Sequence, residues 1–183
     1  METNVSLLEM LDARERRAQR QQQLQAQYRT TLVCFTMNIA GPVKISPLIR
    51  RGFARGRELL ERQFLRCRLQ PLHVEIVREK TGCEAFYLVD ADPLEVKKLT
   101  TLVEDASPLG RLFDMDVLCP DGRKVDREEL HLEGRRCLIC GGPAKACSSR
   151  RIHTVAELQE KTTRILEDTL NELDIHTAAQ QAV

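Results

Sequence analysis

The chain has 183 residues, of which 42% are hydrophobic and 30% charged, and its formal net charge at pH 7 is +1. This composition supports a folded core, the near-neutral charge argues against a dedicated nucleic-acid binder, and no apolar run approaches the roughly 20 residues that cross a bilayer. The N-terminus lacks the pattern of a signal peptide and the seven cysteines are an odd number, so we expect a cytoplasmic protein with reduced thiols.

Residues 1–28 predict an N-terminal helical segment. Ser6 and Glu9 have the spacing of a capping box, in which each side chain satisfies a free backbone N–H group of the first helical turn. The stretch 14–23 is polar almost all round. We therefore expect this helix to lie on the surface, or to pack only by its ends.

Residues 30–127 predict an α+β core. The run 30–39 is nearly continuous in apolar residues and rich in strand formers, which is typical of a central strand covered on both faces. A glycine-proline break follows, and Ser46-Pro47 then has the pattern of a helix start, with a capping side chain before a first-turn proline.

The second half of this core predicts a hairpin, a helix and a further strand. Two alternating runs flank the turn Lys80-Thr81-Gly82, and Asp92 caps the next helix. The apolar stripe of that helix is predicted to comprise Val96, Leu99, Leu102 and Val103. The strand after it contains Asp114 and Asp116, and residues 123–127 can return as a short strand. This order of elements matches a ferredoxin-like βαββαβ sandwich.

The chain changes character after residue 127. Residues 128–153 are a loop segment rich in cysteine and histidine, with little apolar periodicity. Residues 154–174 open on a further capping box and predict an amphipathic C-terminal helix. We interpret residues 1–183 as one domain built from these four segments.

Asp114 and Asp116 form the first candidate site. Side chains on a strand alternate between faces, so both carboxylates point the same way while Phe113, Met115 and Val117 point into a core. Two neighbouring carboxylates repel each other, and a divalent cation between them would relieve the repulsion and bind phosphate oxygens. The alternative is an ordinary solvated face of an amphipathic strand.

Several residues around the acidic pair are candidates for substrate binding. Gly110 and Arg111 add a bend and a cation just before the acidic strand. Lys44 lies in the loop after the first strand, and Arg51 lies on the following helix. The glycine-containing loop 41–47 leads into a helix N-terminus, which suits phosphate, although it lacks the pattern of a P-loop. The alternative for each cation is a solvated surface residue.

Cys137, Cys140, Cys147 and His153 form the second candidate site. A Cys-x-x-Cys pair can hold one side of a tetrahedral zinc ion, and the later cysteine and histidine can complete a structural site. The alternative is free, partly buried thiols; a redox role is less favoured because this pair does not lie between a strand and a helix. The other four cysteines have the character of small core residues: Cys34, Cys67, Cys83 and Cys119.

Several motifs together resemble those of the bacterial citrate lyase holo-acyl-carrier-protein synthase family, the phosphoribosyl-dephospho-CoA transferases. They are Ser-Pro-Leu-Gly-Arg-Leu-Phe-Asp-Met-Asp-Val at 107–117, Arg-Arg-Cys-Leu-Ile-Cys at 135–140 followed by Cys147 and His153, Leu-Asp-Ala-Arg-Glu-Arg at 11–16, and the stretch from Phe35 to Lys44. The resemblance covers nearly the whole chain and is densest from residue 107 to residue 153.

The resemblance implies a specific reaction. The family transfers the phosphoribosyl-dephospho-CoA group from its triphosphate precursor, 2'-(5''-triphosphoribosyl)-3'-dephospho-CoA, to a serine of the apo acyl carrier (gamma) subunit of citrate lyase, and diphosphate leaves. In such a nucleotidyltransferase, Asp114 and Asp116 would hold Mg²⁺ against the triphosphate. From their charge and position, we expect Arg111, Lys44 and Arg51 to neutralise the phosphates.

Three other functions need to be compared with this one. A malonate decarboxylase synthase carries out the same transfer with a similar Asp-x-Asp, so that motif alone does not identify the carrier. A non-catalytic zinc-knuckle interaction module would need the cysteines and the histidine but not the two aspartates. An RNA-binding ferredoxin-like domain is disfavoured because only 4% of the residues are aromatic, and such sheets read bases by stacking.

Overall fold

A computed structural model of the chain describes residues 4–181 and the side chains of residues 4–172. The helices are α1 (Leu7–Tyr28), α2 (Pro47–Arg66), α3 (Pro93–Asp105), α4 (Ala144–Ser149) and α5 (Val155–Gln181). The strands are β1 (Thr31–Met37), β2 (Pro71–Glu79), β3 (Gly82–Val89), β4 (Phe113–Leu118) and β5 (Lys124–Val125). No helix in this described part of the chain is long and apolar enough to cross a bilayer.

The five strands form one antiparallel sheet in the order β2-β3-β1-β4-β5. Strand β1 lies in the middle of the sheet and is buried over most of its length, which confirms the predicted central strand. Helix α2 connects β1 to β2, and α3 connects β3 to β4, so each helix carries the chain past a strand of the sheet. The predicted α+β class is confirmed.

Side-chain caps begin the first three long helices where the sequence predicts them. The Ser6 hydroxyl accepts a hydrogen bond from the Glu9 backbone N–H at 3.3 Å, and the Glu9 carboxylate accepts one from the Ser6 backbone N–H at 2.9 Å. The Ser46 hydroxyl accepts from the Ile49 N–H at 3.2 Å, and the Asp92 carboxylate accepts from two N–H groups of the first turn of α3. Each cap satisfies donors that a helix start leaves free.

The main core lies between one face of the sheet and the helices α2, α3 and α5. The Phe35 ring stacks on Phe53 with centroids 4.8 Å apart and meets Phe113 edge-on at 5.3 Å. Gly56 lets α2 approach these rings, because a Cβ atom there would lie 2.5 Å from the Phe35 side chain and 2.9 Å from Phe113. This close approach produces a densely packed core around Phe113, at the start of β4.

Helix α1 covers the opposite face of the sheet along its whole length. Leu24 joins a small apolar cluster on that face, and the polar middle of the helix is held by ion pairs. The Arg17 Nε lies 2.8 Å from Glu84 Oε1, and the Arg20 Nη2 lies 2.5 Å from Glu75 Oε2. The middle of α1 is mostly exposed, as expected for a surface helix, but the helix does not pack only at its ends, because charged side chains of β2 and β3 contact its middle.

Two further expectations need correction. Cys34, Cys83 and Cys119 are buried, but Cys67 is exposed because it ends α2 as the C-cap residue. The C-terminal helix begins after the predicted Thr154 capping box but continues to residue 181, beyond the predicted end at residue 174.

Candidate active site and metal centre

The acidic pair lies on β4 with both carboxylates on the same face. Phe113, Met115 and Val117 are fully buried in the main core, whereas the side chains of Asp114 and Asp116 are 48% and 32% exposed. The alternation of the strand therefore places two half-exposed carboxylates next to each other, as a pair that a small ligand can reach.

Each carboxylate has a cation beside it. The Lys124 Nζ lies 2.6 Å from Asp116 Oδ1, and the Arg135 Nη2 lies 3.6 Å from Asp114 Oδ1. Burial disfavours the charged form of Lys124, but its hydrogen bond and Coulomb attraction to Asp116 outweigh burial and raise the pKa of the amine. Each carboxylate of the pair therefore has a positively charged side chain as its neighbour.

A cavity of about 1000 Å³ opens over this pair. One wall is β4 with the start of β5, and the opposite wall is the segment 133–149 with the short helix α4. Lys97, Lys124 and Arg135 line the cavity together with Asp114 and Asp116. A cavity of this size can hold a large part of a nucleotide-like ligand.

The outer edge of β4 is capped by side chains instead of by a strand, since β5 pairs only with the last two residues of β4. The Met115 backbone N–H donates to Glu104 Oε1 at 2.8 Å, and the Met115 carbonyl accepts from Lys97 Nζ at 3.2 Å. The Phe113 carbonyl accepts from Arg135 Nη1 at 2.7 Å. These bonds satisfy the backbone groups that an open edge would leave unpaired, next to both aspartates.

Glu104 is the centre of this edge cap. Its side chain is only 2% exposed, and its two carboxylate oxygens accept from Arg135 and, at 3.1 Å, from Arg127. Arg127 also lies 2.8 Å from Asp105. A buried carboxylate that holds two arginines and a strand N–H fixes the backbone around Asp114.

Lys97 is the second α3 residue in this cap. Burial lowers the pKa of its amine, while the negative charges of Glu104 and Asp116 act in the opposite direction. Lys97 and Glu104 are seven residues apart, which places them on the same face of the helix two turns apart.

Gly110 lies where the chain passes close to the end of α3. A Cβ atom at this position would be 2.5 Å from the Val103 carbonyl oxygen and 2.7 Å from the Glu104 carbonyl oxygen. Both contacts are with backbone, which cannot rotate away. A glycine here therefore seats the segment before β4 directly on the turn that carries Glu104.

We expect Gly110→Ala to destabilise the protein by about 1–3 kcal/mol, because the methyl group must push this segment away from α3. Thermal unfolding of the variant measures this loss. Gly134→Ala is the matched control, since nothing lies within 4 Å of a Cβ atom at position 134. Equal melting temperatures for the two variants would contradict this explanation of Gly110.

Of the other predicted substrate-binding residues, all within the described part of the chain, only Lys44 shares a cavity with the acidic pair. Lys44 lines a smaller cavity of about 140 Å³ together with Asp114, and its Nζ donates to the Ile39 carbonyl at 2.5 Å. Arg111 donates to the Arg136 carbonyl at 2.5 Å and lines a neighbouring cavity of about 320 Å³. Arg51 lies on the exposed side of α2, outside the cavities described here.

The four predicted zinc ligands come together in space. The ligand atoms of Cys137, Cys140, Cys147 and His153 all lie within 4.8 Å of one another, and the Sγ atoms of Cys140 and Cys147 are 3.5 Å apart. Tetrahedral zinc with Zn–S bonds of about 2.3 Å places its ligand atoms roughly 3.7 Å from each other. This cluster can therefore hold a metal ion such as zinc.

The local backbone explains why these ligands meet. The Cys137 N–H donates to the Gly142 carbonyl at 2.6 Å, and the Gly141 N–H donates to the Cys137 carbonyl at 3.1 Å, which closes a tight turn around Cys140. Gly141 has a φ angle of 71°, in the left-handed region that favours glycine. Helix α4 then returns the chain so that Cys147 faces this turn.

Metal binding would require the thiols to lose their protons to solvent or a base. The Gly142 backbone N–H, with help from His153 and Cys147, lowers the pKa of the Cys140 thiol to about 6. The hydrogen bond to Cys140 in turn raises the pKa of Cys147 to about 11, because two adjacent thiolates repel each other unless a cation lies between them. The His153 Nε2 atom is buried without a hydrogen-bond partner, so it is available as a ligand.

Sequence reasoning missed Glu104, Lys97, Lys124 and Arg127. The one signal in the sequence was the spacing of Lys97 and Glu104, which are seven residues apart in α3 and lie on the face that packs against the sheet. A charged residue at such a position usually lies in solvent.

Comparisons with known proteins agree with these motifs. A family model described as apo-citrate lyase phosphoribosyl-dephospho-CoA transferase matches residues 5–169. The transferase of that name from Citrobacter koseri is 33% identical over 164 residues, which cover 90% of each chain, and the probable transferase from Vibrio cholerae is 31% identical over 90% of this chain and 93% of the relative. The protein CitXG of Haemophilus influenzae is 36% identical over 87% of this chain, which spans only 34% of that longer protein.

Proposed function

The chain belongs to the family of apo-citrate lyase phosphoribosyl-dephospho-CoA transferases, and from this premise we propose the reaction in detail. The donor is 2'-(5''-triphosphoribosyl)-3'-dephospho-CoA, and the acceptor is a serine of the apo acyl carrier (gamma) subunit of citrate lyase. The serine oxygen forms a bond to the innermost phosphorus of the triphosphate, the bond from that phosphorus to the outer two phosphates breaks, and diphosphate leaves. The serine proton passes to solvent or to a base, and the product is a phosphodiester.

The observation that supports this proposal best is the acidic pair in a large cavity that Lys97, Lys124 and Arg135 also line. Asp114 and Asp116 offer oxygen ligands on one face of β4, which is the donor chemistry that Mg²⁺ prefers. Bound Mg²⁺ would neutralise the phosphate oxygens and favour loss of the serine proton. Lys124 and Arg135 lie beside the carboxylates and can neutralise further phosphate charge as diphosphate departs.

The predicted substrate-binding residues keep roles in this proposal. Lys44 shares a cavity with Asp114 on the side of the sheet that α1 covers, and Arg111 lies on the far side of the loop that bounds the main cavity. We propose that these two cations, and Arg51 on α2, add positive charge that would attract a triphosphate. Gly110 acts through the backbone, since it seats the segment that carries Arg111.

We propose that the cysteine cluster binds structural zinc. All four ligand positions would be filled by the protein, which is typical of a closed structural site. The metal would hold segment 133–149, and with it one wall of the active-site cavity.

We expect the purified protein to contain one zinc ion per chain, measured by inductively coupled plasma mass spectrometry. The double variant Cys140→Ser/Cys147→Ser should retain less than about a tenth of the metal, because two of four ligands are lost. Cys67→Ser is the matched control, since Cys67 is an exposed thiol outside the cluster. Rebinding of zinc to metal-free protein should also release protons, because zinc binds cysteine as the thiolate and the hydrogen bond to Cys140 keeps the pKa of Cys147 raised, at about 11. Full zinc content in the double variant would contradict the site.

The strand order also supports a ferredoxin-like βαββαβ arrangement for residues 30–127. In this proposal β1, α2 and β2 form one split βαβ unit, β3, α3 and β4 form the second, and β5 is an addition at the edge. Residues 1–28, 128–153 and 154–174 are then appendages of one domain. The seven free thiols support a location in a reducing cytoplasm.

Intact-protein mass spectrometry of the carrier tests the function. Apo citrate lyase acyl carrier is incubated with this protein, Mg²⁺ and triphosphoribosyl-dephospho-CoA, and we expect a mass gain equal to the phosphoribosyl-dephospho-CoA group. Without a gain on a competent carrier, the malonate decarboxylase carrier is tested next. A gain there would keep the chemistry and change the partner, and a gain on neither carrier would favour a zinc-knuckle interaction module.

A further inference from the structure

Lys97 is a buried lysine without a carboxylate partner. Its side chain belongs to a residue that is 5% exposed, and its amine donates one hydrogen bond, to the Met115 carbonyl at 3.2 Å. Among the described side chains, no carboxylate oxygen lies within 4.0 Å of this amine, so it forms no ion pair. An ammonium group has three donors, so two of them are not used by the protein.

Such a group is expensive to bury. Lysine is almost never fully buried unless it is paired, because an unpaired charge loses its hydration without compensation. If Lys97 only filled space with its hydrocarbon chain, an uncharged side chain of the same length would serve as well. Its one hydrogen bond to a carbonyl could be replaced by a water molecule from the adjoining cavity. A buried amine with two unused donors beside a cavity therefore points to a ligand.

The direction of the amine indicates where that ligand lies. Lys97 lines the large cavity together with Asp114 and Asp116, and its amine reaches the carbonyl of the residue between them. Lys124 and Arg135 line the same cavity but already contact the two aspartates. Lys97 can thus bind an anion in the cavity without breaking an ion pair.

We propose that Lys97 binds a phosphate oxygen of the donor at the floor of the cavity, beside the acidic pair. This inference rests on the proposed function, because the transferase reaction supplies a triphosphate for the cavity to bind. The chemical class of the ligand is a polyphosphate ester, and a phosphate oxygen accepts charge-assisted hydrogen bonds from lysine. Lys97 would then hold the donor from the side opposite to the solvent-exposed cations.

The test compares the variants Lys97→Met and Lys97→Arg with Lys98→Met. Lys98 is the next residue on α3, but its side chain is 54% exposed and pairs with Glu95, so it is a matched control. Binding of inorganic triphosphate with Mg²⁺ is measured by isothermal titration calorimetry. We expect Lys97→Met to weaken this binding by about tenfold or more, Lys97→Arg to restore most of it, and Lys98→Met to leave it unchanged.

Thermal unfolding distinguishes a binding role from a structural one. Lys97→Met loses the hydrogen bond to the Met115 carbonyl but also removes a buried amine that has no ion pair, so we expect its melting temperature to change by only a few degrees. A large fall in the melting temperature, or triphosphate binding equal to that of the wild type, would overturn the proposal. Failure of the wild type to bind triphosphate would also overturn it, even if the carrier becomes modified. Conversely, triphosphate binding that depends on Lys97 without any carrier modification would keep the site and reject the proposed function.

Discussion

The variant Asp114→Asn/Asp116→Asn should lose carrier modification almost completely, by about 10³-fold or more in kcat/KM. Asparagine has nearly the same shape as aspartate, so β4 and its core contacts remain. It does not supply the negative charge that a magnesium ion needs, and it leaves Lys124 and Arg135 without their acidic partners. The rate of mass gain of the apo carrier, measured over time, gives this effect directly.

Two controls make this result specific. Asp121→Asn changes an exposed acid in the turn after β4, outside the large cavity, and should leave the rate unchanged. The double variant should stay folded and melt within a few degrees of the wild type, because the relief of repulsion between the carboxylates offsets the loss of two part-exposed ion pairs. A variant that is folded and still modifies the carrier at more than a tenth of the wild-type rate would keep the function but remove Asp114 and Asp116 from the site.

Glu104→Gln should produce the largest loss of stability, about 3–5 kcal/mol, because it removes the charge that balances two buried or half-buried arginines. For a chain of this size, we expect the melting temperature to fall by roughly 6–20 °C. Glutamine can still accept the Met115 N–H, so the effect isolates the charge. Urea unfolding of the variant measures the loss of stability, and thermal unfolding measures the fall in melting temperature.

Asp105→Asn is the matched control for this prediction. Asp105 is the neighbouring residue and also contacts Arg127, at 2.8 Å, but its side chain is 58% exposed. Solvent screens such a pair, so we expect a loss below about 1 kcal/mol. Similar losses for the two variants would show that the burial of Glu104 does not strengthen its pairs, and that the edge of β4 is held by other contacts.

The fold could be predicted where its signals are local. Ser6, Ser46 and Asp92 each cap a helix through backbone groups only two or three residues ahead, so a short stretch of sequence carries the whole signal. The alternation of β4 is equally local, and it placed Asp114 and Asp116 on one face. The four candidate zinc ligands lie within 17 consecutive positions, from Cys137 to His153, and tight turns bring them together.

The edge of β4 could not be predicted because its partners depend on the tertiary fold. The expected apolar stripe of α3 included Leu102, which is 59% exposed, while Lys97 and Glu104 are buried. Those two residues face a strand edge that needs a donor and an acceptor, and that edge is open only because β5 is two residues long. The sequence of α3 alone does not indicate that its polar face meets the open outer edge of β4.

The central position of β1 has a consequence for how the protein is made. Thr31 pairs with Val89, and Leu32 pairs with Leu118, so neither neighbour of β1 exists when this strand leaves the ribosome. Contacts between distant parts of a chain form slowly, and apolar strands that wait for them are prone to aggregate. The strand that is among the least accessible in the finished protein is thus exposed longest during synthesis, and it is the segment that a chaperone would need to shield.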